Sequence, residues 1–217
     1  MDKRTAKVVE LLKKEYPHAK IALNFKTPLD LLVATILSAQ CTDKKVNEVT
    51  AELFKKYRTI QDYAKANQAK FEQEIRSTGF FRNKTKSILG AARMIVDKYH
   101  GRVPDNMEEL LTLPGVARKT ATVILFNAFH KIEGITVDTH VIRLSERLGL
   151  SKNKDPKKIE QDLMAELPRP LWGKFAYLII EHGRKVCIAK KPLCPGCVLS
   201  KLCPSYGYFM KKFHMVK

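Results

Sequence analysis

Three stretches of this sequence carry side chains able to do chemistry. "LPGVARKTATVIL", residues 113–125, places Lys119 just beyond a Pro-Gly turn. A helix beginning near Ala117 puts Lys119 in its first turn, where the positive end of the peptide dipole disfavours a cation and so favours the neutral amine. A neutral, desolvated amine is a nucleophile. A charged one at the same place is a phosphate ligand, and the residue types leave both readings open. Further on, "GITVDTH" supplies Asp138. It is either the cap of a helix starting at Thr139 or a carboxylate that stabilises an oxocarbenium-like sugar cation or assists an attacking amine. The third stretch, "CIAKKPLCPGCVLSKLC" at 187–203, holds four of the five cysteines at C-x6-C-x2-C-x5-C spacing.

Charge narrows the partner. Across 217 residues there are 40 Lys and Arg against 22 Asp and Glu, a net charge of +18. Such an excess attracts polyanions, with nucleic acid foremost and a merely basic soluble protein as the plainer alternative. The N-terminal "MDKRTAKVVELLKKEYP" is charged and helical in pattern, so it is no secretory leader. No apolar run reaches the roughly 18 residues that a membrane span needs. Without a leader the compartment is expected to be reducing, where clustered cysteines ligate a metal or cluster more often than they form disulfides. Four close thiolates suit an iron–sulfur cluster. Zinc is the competitor, although paired C-x2-C knuckles are its usual pattern and one such pair occurs here. Cys41, the odd thiol, reads as buried and inert.

The elements that position these residues read as all-α, with roughly ten helices and no convincing alternating strand. "TPLDLLVATILSAQ" sets Leu29, Leu32, Val33, Ile36 and Leu37 on one stripe, with Thr27 as cap and Pro28 at the first helical position. "DKKVNEVTAELFKKY" repeats the pattern behind a cap at Asp43. "PDNMEELLTL" reads as a short helix with a capping box of Asp105 and Glu108. The turn at Pro114 and Gly115 then joins that short helix to the one bearing Lys119, a helix-hairpin-helix. Gly115 permits a positive φ and a close backbone approach, and the second helix's N-terminus offers free N–H groups to a phosphate.

The hairpin with Lys119, the "VDTH" with Asp138 and the cysteine tail, in this order, resemble the endonuclease III family of bifunctional DNA glycosylase/abasic-site lyases, from "LLVATILSAQCTDKKVN" to Cys203. The resemblance implies two helical domains flanking a cleft. Residues 22–133 would form a six-helix bundle carrying the hairpin (about 105–130), and residues 1–21 with 134–217 an iron–sulfur domain. It implies a [4Fe–4S] cluster on Cys187, Cys194, Cys197 and Cys203, with Lys190 and Lys191 presented to phosphates by the loop the cluster pins. It further implies that Lys119 attacks C1′ of a damaged nucleotide, an oxidised pyrimidine in double-stranded DNA, with Asp138 assisting, and then cleaves the abasic site.

Gln40 and Phe80 map to the family's space-filling residues. Phe80 stands where leucine is usual, and a core phenylalanine is the alternative reading. Ala117 stands where many relatives have glycine, which fits if its backbone is ordinary and only smallness matters. His140 and Arg143 are further candidate phosphate contacts. Relatives that only remove bases, from adenine or thymine mismatches, lack a lysine at this position, and a redox-sensing DNA-binding module would need neither Lys119 nor Asp138. A monomeric, cytoplasmic, nucleoid-associated prokaryotic enzyme is expected.

Overall fold

The computed structural model describes residues 1–214, and among these every regular element is helical. The chain divides into two compact units, one continuous from Ala22 to Glu133 and one discontinuous, made of Met1–Ile21 and the chain from Gly134 onward. α1 (Lys3–Glu15) opens the discontinuous unit. The continuous unit then carries α2 (Pro28–Leu37), α3 (Asp43–Lys56), α4 (Ile60–Ala64), α5 (Gln68–Glu74), α6 (Phe81–Lys98), α7 (Met107–Thr112) and α8 (Arg118–Phe129). α9 (Thr139–Arg147), α10 (Pro156–Glu166), α11 (Trp172–Lys185) and α12 (Tyr206–Lys212) complete the discontinuous unit. The continuous unit thus has seven α-helices rather than six, since the five-residue α4 folds on its own capping box at Thr59 and Asp62.

In the continuous unit α2 is buried from Leu31 to Leu37 and forms the centre. The long α6 presents Ile88, Leu89, Ala92 and Ile95 as a stripe and packs on α2, α4 and α5. Each such Leu or Ile contributes about 1.5–3 kcal/mol on burial. The Thr27 cap stands, completed by Asp30 into a reciprocal box with Pro28 at the first position.

Two caps lie one residue from their expected places. Thr42, not Asp43, caps α3, because Thr42 is extended and its hydroxyl accepts from Lys45 N–H, whereas Asp43 is already helical. Asn106 caps α7 by accepting from Glu109 N–H at 2.9 Å. Asp105 instead pairs with Lys131 at 2.6 Å.

The hairpin between α7 and α8 is built on one backbone conformation. Gly115 has φ 79°. A Cβ placed there would lie 2.6 Å from Ser87 Cβ and 2.8 Å from Ser87 Oγ on α6. The close approach that Gly115 permits is therefore first of all to α6. Leu113 and Val116 flank it as buried anchors.

The discontinuous unit is tied together by arginines. Arg4 on α1 donates to Leu148 O at 2.6 Å and Gly149 O at 3.3 Å, beyond the end of α9, and to Leu202 O at 3.4 Å in the cysteine loop. Gly183 lets α9 and α11 close on each other, since a Cβ there would sit 2.9 Å from His140 Nδ1.

Gly115→Ala is expected to destabilise the fold by more than the roughly 1–2 kcal/mol that a left-handed backbone alone costs. In urea unfolding, adding Ser87→Gly should recover the steric part and leave the backbone part. Full recovery would mean that the turn carries no strain.

Candidate functional site

In the continuous unit a pocket is lined by Gln40, Phe80, Lys84, Ser87, Gly115 and Thr120, among others, so the end of α2, the start of α6 and the hairpin meet there. Gln40 and Phe80, expected from sequence to enter DNA, both have left-handed backbones, with φ 51° and 48°. That is unusual for residues with bulky side chains and marks functional segments more often than structural ones. Phe80 is 61% exposed, so it is not a core phenylalanine. It stands as the N-cap of α6 with no side-chain hydrogen bond.

Lys119 is the second residue of α8, one before the pocket-lining Thr120, and its side chain is exposed. Ala117 is the N-cap, with φ −90° and ψ 171°, an ordinary extended backbone on which alanine carries no strain. Because alanine has no acceptor, no side chain caps α8. The positive end of α8 is thus not met by a capping side chain, which suits an anion.

Lys84 was missed by sequence reasoning. It is 4% exposed, and burial pushes its pKa down. It escapes the full cost of a buried charge by donating to Leu37 O at 2.7 Å and Thr78 O at 2.8 Å. The signal was present, since Lys84 falls in helical register with Ile88, Ala91 and Ile95, a lysine on an apolar stripe. Cys41, in the adjoining segment, is half-buried rather than buried.

In the discontinuous unit Asp138 is the N-cap of α9. Its Oδ1 accepts from His140 N–H at 2.8 Å and Val141 N–H at 2.9 Å. Capping uses this one oxygen, so the cap and the functional reading are compatible. Arg143 Nε and Nη2 are committed to Cys187 O, at 3.2 and 3.1 Å, and Nη2 also meets Gly183 O and His140 Nδ1. His140 is half-buried, and burial lowers its pKa. Arg143, expected from sequence to touch phosphate as is His140, also holds the start of the cysteine loop against α9 and α11, with His140 bonded to its guanidinium.

The four cysteines line one pocket with Arg147, His182 and Phe209. None is in a disulfide. Among the described residues no three His, Cys, Asp or Glu side chains gather as a single metal ion would require. The four thiols nonetheless line one pocket. Burial pushes the Cys197 thiol up to about 11 and raises those of Cys194 and Cys203, with neighbouring thiols adding to the effect. Four thiols on one pocket are the donor set that an iron–sulfur cluster takes.

The pocket also supplies donors to sulfur. Arg147 Nη1 lies 3.3 Å from Cys187 Sγ, and Leu199 N–H lies 3.4 Å from Cys197 Sγ. His182 Nε2 lies 3.5 Å from Cys197 Sγ, while its Nδ1 meets Tyr16 Oη at 3.0 Å. Burial drives His182 down to about 4 and Tyr16 up to about 12. Both groups are therefore uncharged, and the imidazole links Tyr16 Oη to Cys197 Sγ. Lys190 and Lys191 are exposed between the first two cysteines, in a loop whose Ile188 and Ala189 carbonyls are held by Arg147.

Residues 33–169 match the HhH-GPD superfamily of base excision DNA repair proteins. The endonuclease III of a Synechocystis species is 56% identical over 202 residues, 93% of this chain and 92% of that one. That of Bacillus subtilis is 43% identical over 189 residues, 87% and 86% of the two chains. Among solved structures, a non-covalent endonuclease III–DNA complex superposes with a TM-score of 0.91 at 41% identity, covering 97% of this chain and all of that one. A trapped endonuclease III–DNA covalent intermediate gives 0.90 at 41% identity, with the same coverage.

The cap and the charge of Asp138 separate by mutation. Asp138→Ala is expected to lower stability by about 1 kcal/mol, while Asp138→Asn, an equally good cap, should unfold as the wild type does. Equal loss in both variants, read by thermal unfolding, would show that the charge and not the cap stabilises α9.

Proposed function

Because the chain belongs to the endonuclease III family, we propose that it is a base-excision repair enzyme, a DNA glycosylase and abasic-site lyase acting on duplex DNA that contains oxidised pyrimidines. One observation carries the reading. The exposed amine of Lys119 stands in the first turn of a helix that no side chain caps, next to a pocket bearing two exposed left-handed residues. The uncapped α8 binds a backbone phosphate, and that contact brings the sugar to the amine.

Extruding the damaged nucleotide leaves a gap in the stack. Gln40 fills it from the end of α2, and Phe80 stacks from the start of α6. Lys119 Nζ then attacks C1′ through its lone pair. The C1′–N bond breaks, its electron pair leaves with the base, and the amine loses a proton. Opening of the sugar ring gives a Schiff base between Nζ and C1′. This acidifies the C2′ protons, and loss of one expels the 3′ phosphate by β-elimination. Asp138 assists the attack through its charge or by relaying a proton.

Cys187, Cys194, Cys197 and Cys203 hold a [4Fe–4S] cluster, which when bound cross-links the loop bearing Lys190 and Lys191 so that both cations face phosphate. The donors from Arg147 and the Leu199 amide stabilise the ligating sulfurs. The relatives found are bacterial proteins, in keeping with a nucleoid-associated enzyme.

Lys119→Gln should lower strand cleavage at an abasic site by at least about a thousandfold, as for loss of a covalent nucleophile, with DNA binding retained. Loss of binding in equal proportion would make Lys119 a phosphate ligand only. Lys190→Ala with Lys191→Ala should weaken binding to damaged and undamaged duplex alike and reduce the salt slope by about 2. An unchanged slope would leave both lysines in solvent. Purified protein should contain about four iron and four acid-labile sulfide per chain, as a cube with four thiolate ligands requires. Zinc without sulfide would contradict the assignment.

A further inference from the structure

Lys84 is a buried cation that belongs to neither the reactive group nor the phosphate contacts. Its two acceptors lie in different loops. Leu37 is the last residue of α2, where terminal carbonyls have no helical partner and the dipole is negative, a favourable place for an ammonium. Thr78 ends the short helical turn that precedes Gly79 and Phe80. Gln40 follows Leu37 by three residues and Phe80 follows Thr78 by two, and each is a non-glycine residue with a positive φ.

The backbone hydrogen bonds at these loops are local. Cys41 N–H bonds to Ser38 O, and Gly79 N–H to Arg76 O. Among the described residues the Lys84 ammonium is the one hydrogen-bonding group that both loops share. Lys84 itself lines the pocket into which Gln40 and Phe80 face.

We infer that Lys84 is a positioning residue for nucleotide extrusion: its single buried ammonium fixes Gln40 and Phe80 relative to each other, so that the two enter the duplex as one unit. The inference rests on the reading of Gln40 and Phe80 as the residues that fill the stack. A neutral side chain of the same length would leave two carbonyls unpaired and free the loops to move separately. Lys119 would keep its place, because its position comes from the Gly115 turn. Loss of Lys84 should thus slow entry of a stacked base far more than it slows chemistry on an abasic site already exposed.

Lys84→Met tests this, with Lys84→Gln used in its place if thermal unfolding shows that the methionine variant does not fold. Extrusion is followed by the fluorescence of 2-aminopurine beside a damaged base in duplex DNA, and chemistry by single-turnover cleavage of an abasic site in single-stranded DNA. The variant should slow the fluorescence change by about tenfold or more while single-stranded cleavage changes little. The Lys84 change combined with Phe80→Ala should then be far from additive, as for groups acting through one network. Equal slowing of both reactions, or additivity with Phe80→Ala, would overturn the inference. Gln40→Ala and Phe80→Ala serve as separate controls. If both leave extrusion untouched, the reading of those residues fails, whereas if they slow it and the Lys84 variant does not, only the role of Lys84 fails.

Discussion

The place of Lys119 depends on a turn that admits no side chain. At Gly115 the backbone is left-handed and lies so close to Ser87 that even a methyl group would overlap it. That contact seats the hairpin on α6, and α6 in turn packs on the buried α2. The start of α8, the exposed end of α2 and the start of α6 are consequently held in one small region of the continuous unit. Each contributes something different. α8 brings an uncapped positive end and an amine, and the other two bring Gln40 and Phe80. A site assembled from helix termini is rigid where it is anchored and exposed where it must meet a ligand, as catalysis by positioning requires.

The discontinuous unit solves a different problem with arginines. Arg143 and Arg147 both reach from α9 to the carbonyl of Cys187, and Arg147 continues to Ile188 and Ala189. Arg4 reaches from α1 to Leu202. The loop that carries Lys190 and Lys191 is therefore held at its root by carbonyl contacts, and its cysteines line a pocket where Arg147 donates to Cys187 Sγ and His182 Nε2 meets Cys197 Sγ. Arg4, Arg143 and Arg147 are thus tied to backbone carbonyls, while Lys190 and Lys191 stay exposed on the loop.

Much of this was legible in the sequence. Helical spacing, the Thr27–Pro28 start, the Pro-Gly turn and the cysteine cluster are local signals, and they fell where expected. Ala117 shows a departure from the family pattern that structure makes harmless, because its backbone is extended. Asp138 shows two competing readings that turn out compatible, since capping engages one carboxylate oxygen. What sequence hid were interactions across many residues of chain. Nothing near Arg143 announces that it bonds to carbonyls some 40 residues on, at Gly183 and Cys187. Cap positions slipped by one residue at Thr42 and Asn106 because either of two adjacent polar residues fits the pattern. Lys84 and His182 went unnoticed although each sits on an apolar helical stripe. A polar residue in such a register needs partners, and those partners can be found only in the folded chain.

A covalent bond from Lys119 to the sugar, as proposed above, can be trapped by reduction. Duplex DNA containing one abasic site is treated with borohydride in the presence of the protein, and the adduct is digested and mapped. The account predicts a covalent protein–DNA adduct whose DNA-bearing peptide contains Lys119, and no adduct with Lys119→Ala. An adduct of equal yield on another amine, or tight binding with no adduct at all, would contradict it.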